Sequence, residues 1–336
     1  MHPRRFSWLL PIVLAVLCGS ACQQPVDSTT VGVQPIALEQ DPASAPIVYT
    51  EPRTASKRIA ITLDDAPLMR FHSHPSDWHR TLVIDSLHQA LARHRAPATA
   101  FVIGSLVEEE AGAALMRYWM EKGIQIGNHS MTHRDFGTLS VEEGREEISE
   151  AQNVLAPLAA EFQTPLRYFR FPRLSEGATA EAKEAWLTHL NEVGLTNARV
   201  TISHDDWSFD ERYMAAELAE DWALRYEIGQ EYMAHVQEAI AYWEAEAERM
   251  FERPVNHVIL FHANRINRDY LGQILTLLMD EGYSFITLDE AYQDPLYQAR
   301  DQWVSTEGTS FLENIKQTRM QQAEASVVDS SRVDGS

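Results

Sequence analysis

The chain of 336 residues carries a formal charge of −21, with 45% hydrophobic and 23% charged residues. That length allows one large core or two ordinary ones, and that composition excludes wholesale disorder. So acidic a chain lacks the broad basic surface that a phosphate backbone requires, which excludes nucleic acid as an expected partner while tolerating a neutral glycan.

Arg4 and Arg5 precede an apolar run from Trp8 to Leu17, and Gly19, Ser20 and Ala21 then lead to Cys22. A short basic region, an apolar stretch of this length and a small-residue exit describe a secretory signal over residues 1–21. The run is too short for a comfortable membrane span. Export to the cell envelope, periplasmic or outer-surface, is therefore expected. Cys18 and Cys22 are the two cysteines of the chain, so nothing downstream can form an internal disulfide or a thiolate metal site. The Ser-Ala-Cys ending is similar to a bacterial lipoprotein cleavage site, which implies membrane association through a lipid on Cys22. Gly19 departs from that pattern, because an aliphatic residue is usual there. Residues 22–56, rich in Pro, Ser, Thr, Ala and Val, read as a flexible tether.

Strand-like and helical patterns then alternate. Arg58 to Leu63 reads as a strand, Trp78 to Arg93 as a helix, Ala98 to Ile103 as a strand and Ala113 to Lys122 as a helix. Ile124 to Ile126 is a short strand, Val141 to Ala160 a helix, Tyr168 to Phe171 a strand and Thr179 to Val193 a helix. Arg199 to Ile202 and Val255 to Phe261 are strands, Asp269 to Glu281 is a helix, and Ser284 to Thr287 is the last strand. Repeated β-then-α order predicts an α/β fold with a parallel sheet. About seven strands over residues 57–317 favour a distorted (β/α) barrel over an open sheet. Residues 211–253 break the rhythm as a helical insertion, in which Trp222, Tyr232, Tyr242 and Trp243 are expected to be core. The polar stretch 318–336 is expected to be disordered.

The chemistry-bearing residues fall where strands end. Arg58–Leu63 runs into Asp64 and Asp65, Ile124–Ile126 into Gly127, Asn128 and His129, and Tyr168–Phe171 carries Arg170 and meets Pro172. The strand before Ser203 leads to Asp205, Asp206 and Trp207, and Val255–Phe261 ends at His262. Carboxyl ends of parallel strands share one face, so these groups should converge.

His129 and His133 have the i,i+4 spacing that suits two ligands of one metal on a helical turn. With 13 histidines in the chain, roughly half such a pair arises by chance, so the pair alone decides little. Its place after a Gly-Asn turn at a strand end adds weight. No glutamate follows His129, so a base must come from elsewhere, and Asp64-Asp65 can supply it. Adjacent side chains on an extended segment diverge, so one carboxylate can ligate a cation while its neighbour faces water. The alternative is a solvated turn or a helix cap, both of which favour aspartate.

Together these residues resemble the polysaccharide deacetylase family, whose five short motifs recur here in order between about Arg58 and Leu288. Thr62-Leu63-Asp64-Asp65-Ala66 is similar to the first, usually Thr-Phe-Asp-Asp-Gly, and His129-Ser130-Met131-Thr132-His133 to the second. Arg170-Phe171-Pro172 resembles the core of the third, Asp206-Trp207 the end of the fourth, and Val258-Ile259-Leu260-Phe261-His262 the fifth. The resemblance implies a divalent cation, zinc first among the candidates, held by Asp65, His129 and His133. It implies Asp64 as general base, with Arg170 as its counter-charge. His262 would be the acid that protonates the departing sugar amine, with Asp206 favouring its imidazolium form. Pro172 and Trp207 would bind substrate, Trp207 as an apolar wall for the acetyl group. The backbone N–H after Pro172 is a candidate oxyanion donor.

Some positions depart from the family pattern. Ala66 replaces a glycine, and Arg173-Leu174-Ser175 follows Pro172 in place of the expected Tyr-Gly. Ser203 stands where an aspartate often begins the fourth motif, and Ala263 where one often follows the last histidine. His72, His74 and His79 form a further cluster, expected to be a solvated loop. The implied function is removal of acetyl groups from N-acetylated sugars. The alternatives are hydrolysis of a small non-sugar amide and an inactive, lipid-anchored glycan-binding protein. No protein partner is inferable.

Overall fold

The computed structural model describes residues 57–299 and 301–333. The secretory signal, Cys22 and the tether lie outside the described residues. The first strand, β1 (Lys57–Ala66), is buried along most of its length, as expected of a parallel strand covered on both faces. After it come α1 (Asp77–His94), β2 (Ala98–Val102), α2 (Gly104–Glu108), α3 (Glu110–Glu121), β3 (Gln125–Asn128) and α4 (Val141–Glu161). Then follow β4 (Tyr168–Phe169), α5 (Ala180–Glu192), β5 (Thr196–Asn197), α6 (Asp206–Leu218) and α7 (Trp222–Phe251). The last elements are β6 (Asn256–His262), α8 (Arg265–Asp280), β7 (Tyr283–Ile286), α9 (Leu288–Ala291) and α10 (Phe311–Val333).

The strands pair in the order β5-β4-β3-β2-β1-β6, with β7 beside β1, and every pairing is parallel. One edge of β1 is taken by β6. The other is shared, β7 pairing with Lys57–Ala60 and β2 with the residues from Ile61 onward. From β5 the chain runs on until Ile202 bridges Ile259 of β6. There the Ile202 N–H donates to the Val258 carbonyl at 3.1 Å and the Leu260 N–H to the Ile202 carbonyl at 3.1 Å. The sheet therefore curls into the distorted barrel that the alternation of elements suggests.

Three segments differ from expectation. Arg199–Ile202 contributes one bridge and not a full strand. The Thr201 hydroxyl accepts from the Val258 N–H at 2.8 Å, so a side chain occupies a ladder position that a backbone carbonyl would otherwise fill. The helical insertion starts five residues early, at Asp206, and breaks into α6 and α7 where Asp221 caps α7 through the Leu224 N–H at 3.0 Å. Of its aromatics Tyr232 is buried and Trp243 half-buried, whereas Trp222 and Tyr242 are exposed. The tail expected to be disordered continues α10 as far as Val333. Phe311, Leu312 and Ile315 bury the first turns of that helix, and once such a nucleus is fixed each added residue costs little. Among the described residues, no helix is long and apolar enough to cross a membrane.

Candidate metal centre

At the end of β1 the pairing with β2 slips between Leu63 and Ala66. Such a bulge re-aims side chains that strict alternation would send to opposite faces. Asp65 sits in the left-handed region, φ 60, and both Asp64 and Asp65 line one cavity of about 550 Å³. Asp64 is in register with His262 at the end of β6, which places these two groups side by side.

The two histidines follow β3. Asn128 Oδ1 accepts from the Ser130 N–H at 2.8 Å, and Ser130 Oγ accepts from the His133 N–H at 3.0 Å. Glu147 holds Thr132 by its backbone and its hydroxyl. Ser130 and His133 are left-handed, φ 66 and 60. The pair is therefore carried by a cross-braced loop and not by the helical turn its spacing suggests. It converges nonetheless: His129 Nε2 and His133 Nε2 lie 3.4 and 3.1 Å from Asp65 Oδ1. One donor atom from each of the three lies within 4.8 Å of the others.

The donor set fits a cation. His129 Nδ1 is 2.9 Å from the Arg170 carbonyl, which can only accept, so the ring proton sits on Nδ1 and the Nε2 lone pair faces Asp65. Asp65 Oδ1 is buried and makes no hydrogen bond. An acceptor oxygen among imidazole nitrogens calls for a positive charge beside it, which a cation or a proton on His133 supplies. Burial lowers His133, and its pairing with Asp65 raises it by more.

On the other flank, Asp206 is fully buried and crowded with donors. Its Oδ1 lies 2.6 Å from His262 Nδ1, and its Oδ2 accepts from the His262 N–H at 2.8 Å and from Asn267 Nδ2 at 2.6 Å. Burial lowers His262, but the Asp206 charge and hydrogen bond raise it to about 10. Burial raises Asp206, and the charge and hydrogen bonds of His262 bring it down to about 2. The two form an ion pair at neutral pH with Nε2 left over. Arg170, also buried, donates from Nη1 to both Asp64 oxygens at 3.1 and 3.2 Å and from Nη2 to Thr62 Oγ1 at 3.3 Å. Its guanidinium lies 4.4 Å from the centre of the Phe101 ring.

Trp207 lines the cavity and is 47% exposed. Pro172 is placed differently from expectation: it is buried and absent from the cavity wall. The chain turns through left-handed conformations at Arg173 and Leu174, φ 56 and 58, and it is these two that reach the wall. His72, His74 and His79 do not gather. His72 pairs with Glu109 at 3.3 Å, His79 contacts Ser76 at 2.8 Å, and His74 is buried. Sequence reasoning missed Thr62, Asn264 and Asn267 as supports, and Thr306, Glu307 and Gly308 as wall residues. The asparagines carry a signal in hindsight, since Asn264 caps α8 through the Asn267 N–H; the wall residues carry none.

The model of the polysaccharide deacetylase family matches residues 51–198, a likeness that takes in β1 to β5 and stops before β6. The peptidoglycan-N-acetylglucosamine deacetylase PgdA of Listeria monocytogenes serotype 1/2a is 23% identical over 259 residues, which are 76% of this chain and 43% of that protein. The chitooligosaccharide deacetylase of Sinorhizobium fredii is 27% identical over 161 residues, 47% of this chain and 65% of that protein. The chain thus spans less than two thirds of the length of either relative. Among solved structures, a mutant of a CE4 family pseudoenzyme with restored enzymatic activity superposes with a TM-score of 0.50 at 18% identity, covering 71% of this chain and 68% of that one. That likeness is one of fold.

Substituting Asp65→Ala removes one of three candidate donors, and any divalent-cation affinity should then fall by more than the roughly 10- to 100-fold that loss of an outer partner costs. Isothermal titration checks this, and unchanged affinity would remove Asp65 from the site.

Proposed function

We propose that the chain is a metal-dependent hydrolase that removes N-linked acetyl groups from the N-acetylated sugars of an oligosaccharide or polysaccharide. The observation that carries this reading is the convergence of Asp65, His129 and His133 on one cavity that Asp64 and His262 flank. The match of residues 51–198 to the polysaccharide deacetylase family model supports the same chemistry. A divalent cation bound there, zinc by the match to carboxylate and imidazole donors, supplies Lewis-acid polarisation and a more acidic water.

The protein's own groups do the rest. Asp64 takes the proton of the attacking water as the C–O bond forms. Arg170 engages both of its oxygens, yet a carboxylate has about four acceptor sites, so one remains for water. His262 Nε2 gives its proton to the sugar nitrogen as the C–N bond breaks, and Asp206 on Nδ1 holds the ring in place for that transfer. Trp207 and Leu174 offer an apolar wall to the acetyl methyl. We further propose export to the cell envelope with a lipid on Cys22, supported by Arg4, Arg5, the apolar run and the Ser-Ala-Cys ending.

Acetate release from N-acetylglucosamine oligomers should disappear on chelation and return with zinc. Asp64→Asn should keep the metal and lose about 10²- to 10⁴-fold in kcat/KM; full activity in that variant would sink the base assignment, and turnover of small amides alone would sink the sugar. His262 must be protonated to act, and Asp206 is what raises it. In Asp206→Asn the alkaline limb of the pH–rate profile should therefore move to lower pH, while an unmoved limb assigns the acid elsewhere. Cys22→Ser should shift the exported protein from the membrane fraction to the soluble one, and continued membrane retention would refute the lipid.

A further inference from the structure

The wall residues Thr306, Glu307 and Gly308 belong to a strap that follows the last sheet elements and is held at both ends. At one end the Asp301 carboxylate is buried against Lys183 and Arg199, the latter at 3.2 Å. Lys183 also donates to the Trp303 carbonyl at 2.9 Å and pairs with Glu176 at 2.8 Å. At the other end the Phe311 N–H donates to the Val200 carbonyl at 2.6 Å. Between them Gly308 lies so close to the third-motif turn that a Cβ would fall 1.6 Å from the Arg173 carbonyl oxygen. The strap is thus seated on the Arg173–Leu174 turn, and Glu307 is carried on the cavity wall at a set place.

The charges of that wall do not balance. Asp64 is paired with Arg170, Asp135 with Arg173 at 3.5 Å, and the buried Asp206 with His262. Glu307 and Asp205 both line the cavity and are exposed, and among the described residues neither has an ion-pair partner. Arg173 is the wall's guanidinium, and Asp135 already engages it. Apart from the cation proposed at Asp65, a carboxylate entering the cavity meets two negative charges on its wall without an ion-pair partner, whereas an ammonium or a neutral sugar is not repelled by them.

On the deacetylase reading above, we infer that Glu307, presented by the strap, is a specificity-determining residue that rejects carboxylate-bearing glycans. The substrate class is then a neutral or amine-bearing N-acetylated oligosaccharide. The test uses the full chain loaded with zinc and measures acetate release from three probes. These are N-acetylglucosamine oligomers, partly deacetylated oligomers, and N-acetylated oligomers that carry a carboxylate on the sugar ring. The first two should be preferred in kcat/KM. Glu307→Gln should narrow the preference by about three-fold, the scale of one exposed charge. Salt near 1 M, where the Debye length is about 3 Å, should narrow it in the parent protein as well. A parent preference for the carboxylate probe, or a ratio unmoved by Glu307→Gln, overturns this inference and leaves deacetylation standing. No acetate from any probe overturns the deacetylase reading and this inference with it.

Discussion

Asp65 Oδ1 is a buried acceptor with an imidazole nitrogen on either side and no hydrogen bond of its own. Such a group costs free energy unless a positive charge sits among the three, and much of the surrounding structure serves to hold it there. The bulge in β1 aims Asp65, the Arg170 carbonyl sets the His129 tautomer, and the braces from Asn128, Ser130 and Glu147 hold the loop that carries His133. Asn128, Ser130 and Glu147 do not line the cavity. Each removes a freedom that would let the donors drift apart.

The same economy governs the other charges. Burying an ion is tolerable when its remaining lone pairs and protons are met. Arg170 spends its donors on Asp64, Thr62 and Ala198, and Asp206 collects His262, Asn264 and Asn267. The two flanks therefore carry opposite charge pairs within one cavity. Asp64 faces a guanidinium and His262 a carboxylate, an arrangement that suits a base on one side and an acid on the other.

Where the sequence departs from the polysaccharide deacetylase motifs it resembles, the structure supplies a local account. The Arg173-Leu174-Ser175 segment turns left-handed after the buried Pro172 and is backed by Gly308 from the strap. Arg173 and Leu174 line the cavity wall. After Ala263, which is buried, Asn264 reaches Asp206 at 3.2 Å.

Much was legible in the order of residues alone. Alternating apolar runs and amphipathic stretches determined the parallel α/β fold, because burial on both faces of a strand leaves a continuous apolar signature. Strand ends share a face, so Asp64, Asp65, His129, Arg170, Asp206 and His262 could be grouped before any contact was known. Local pattern could not decide whether 199–202 formed a ladder, since one Thr201 hydroxyl diverts it, nor whether the polar tail would be helical, since Phe311, Leu312 and Ile315 are buried by distant elements. Nor could it place Glu307 on the cavity wall. That position depends on Asp301 meeting Lys183 and Arg199 across more than a hundred residues, and contacts so far apart along the chain leave no periodic trace in it.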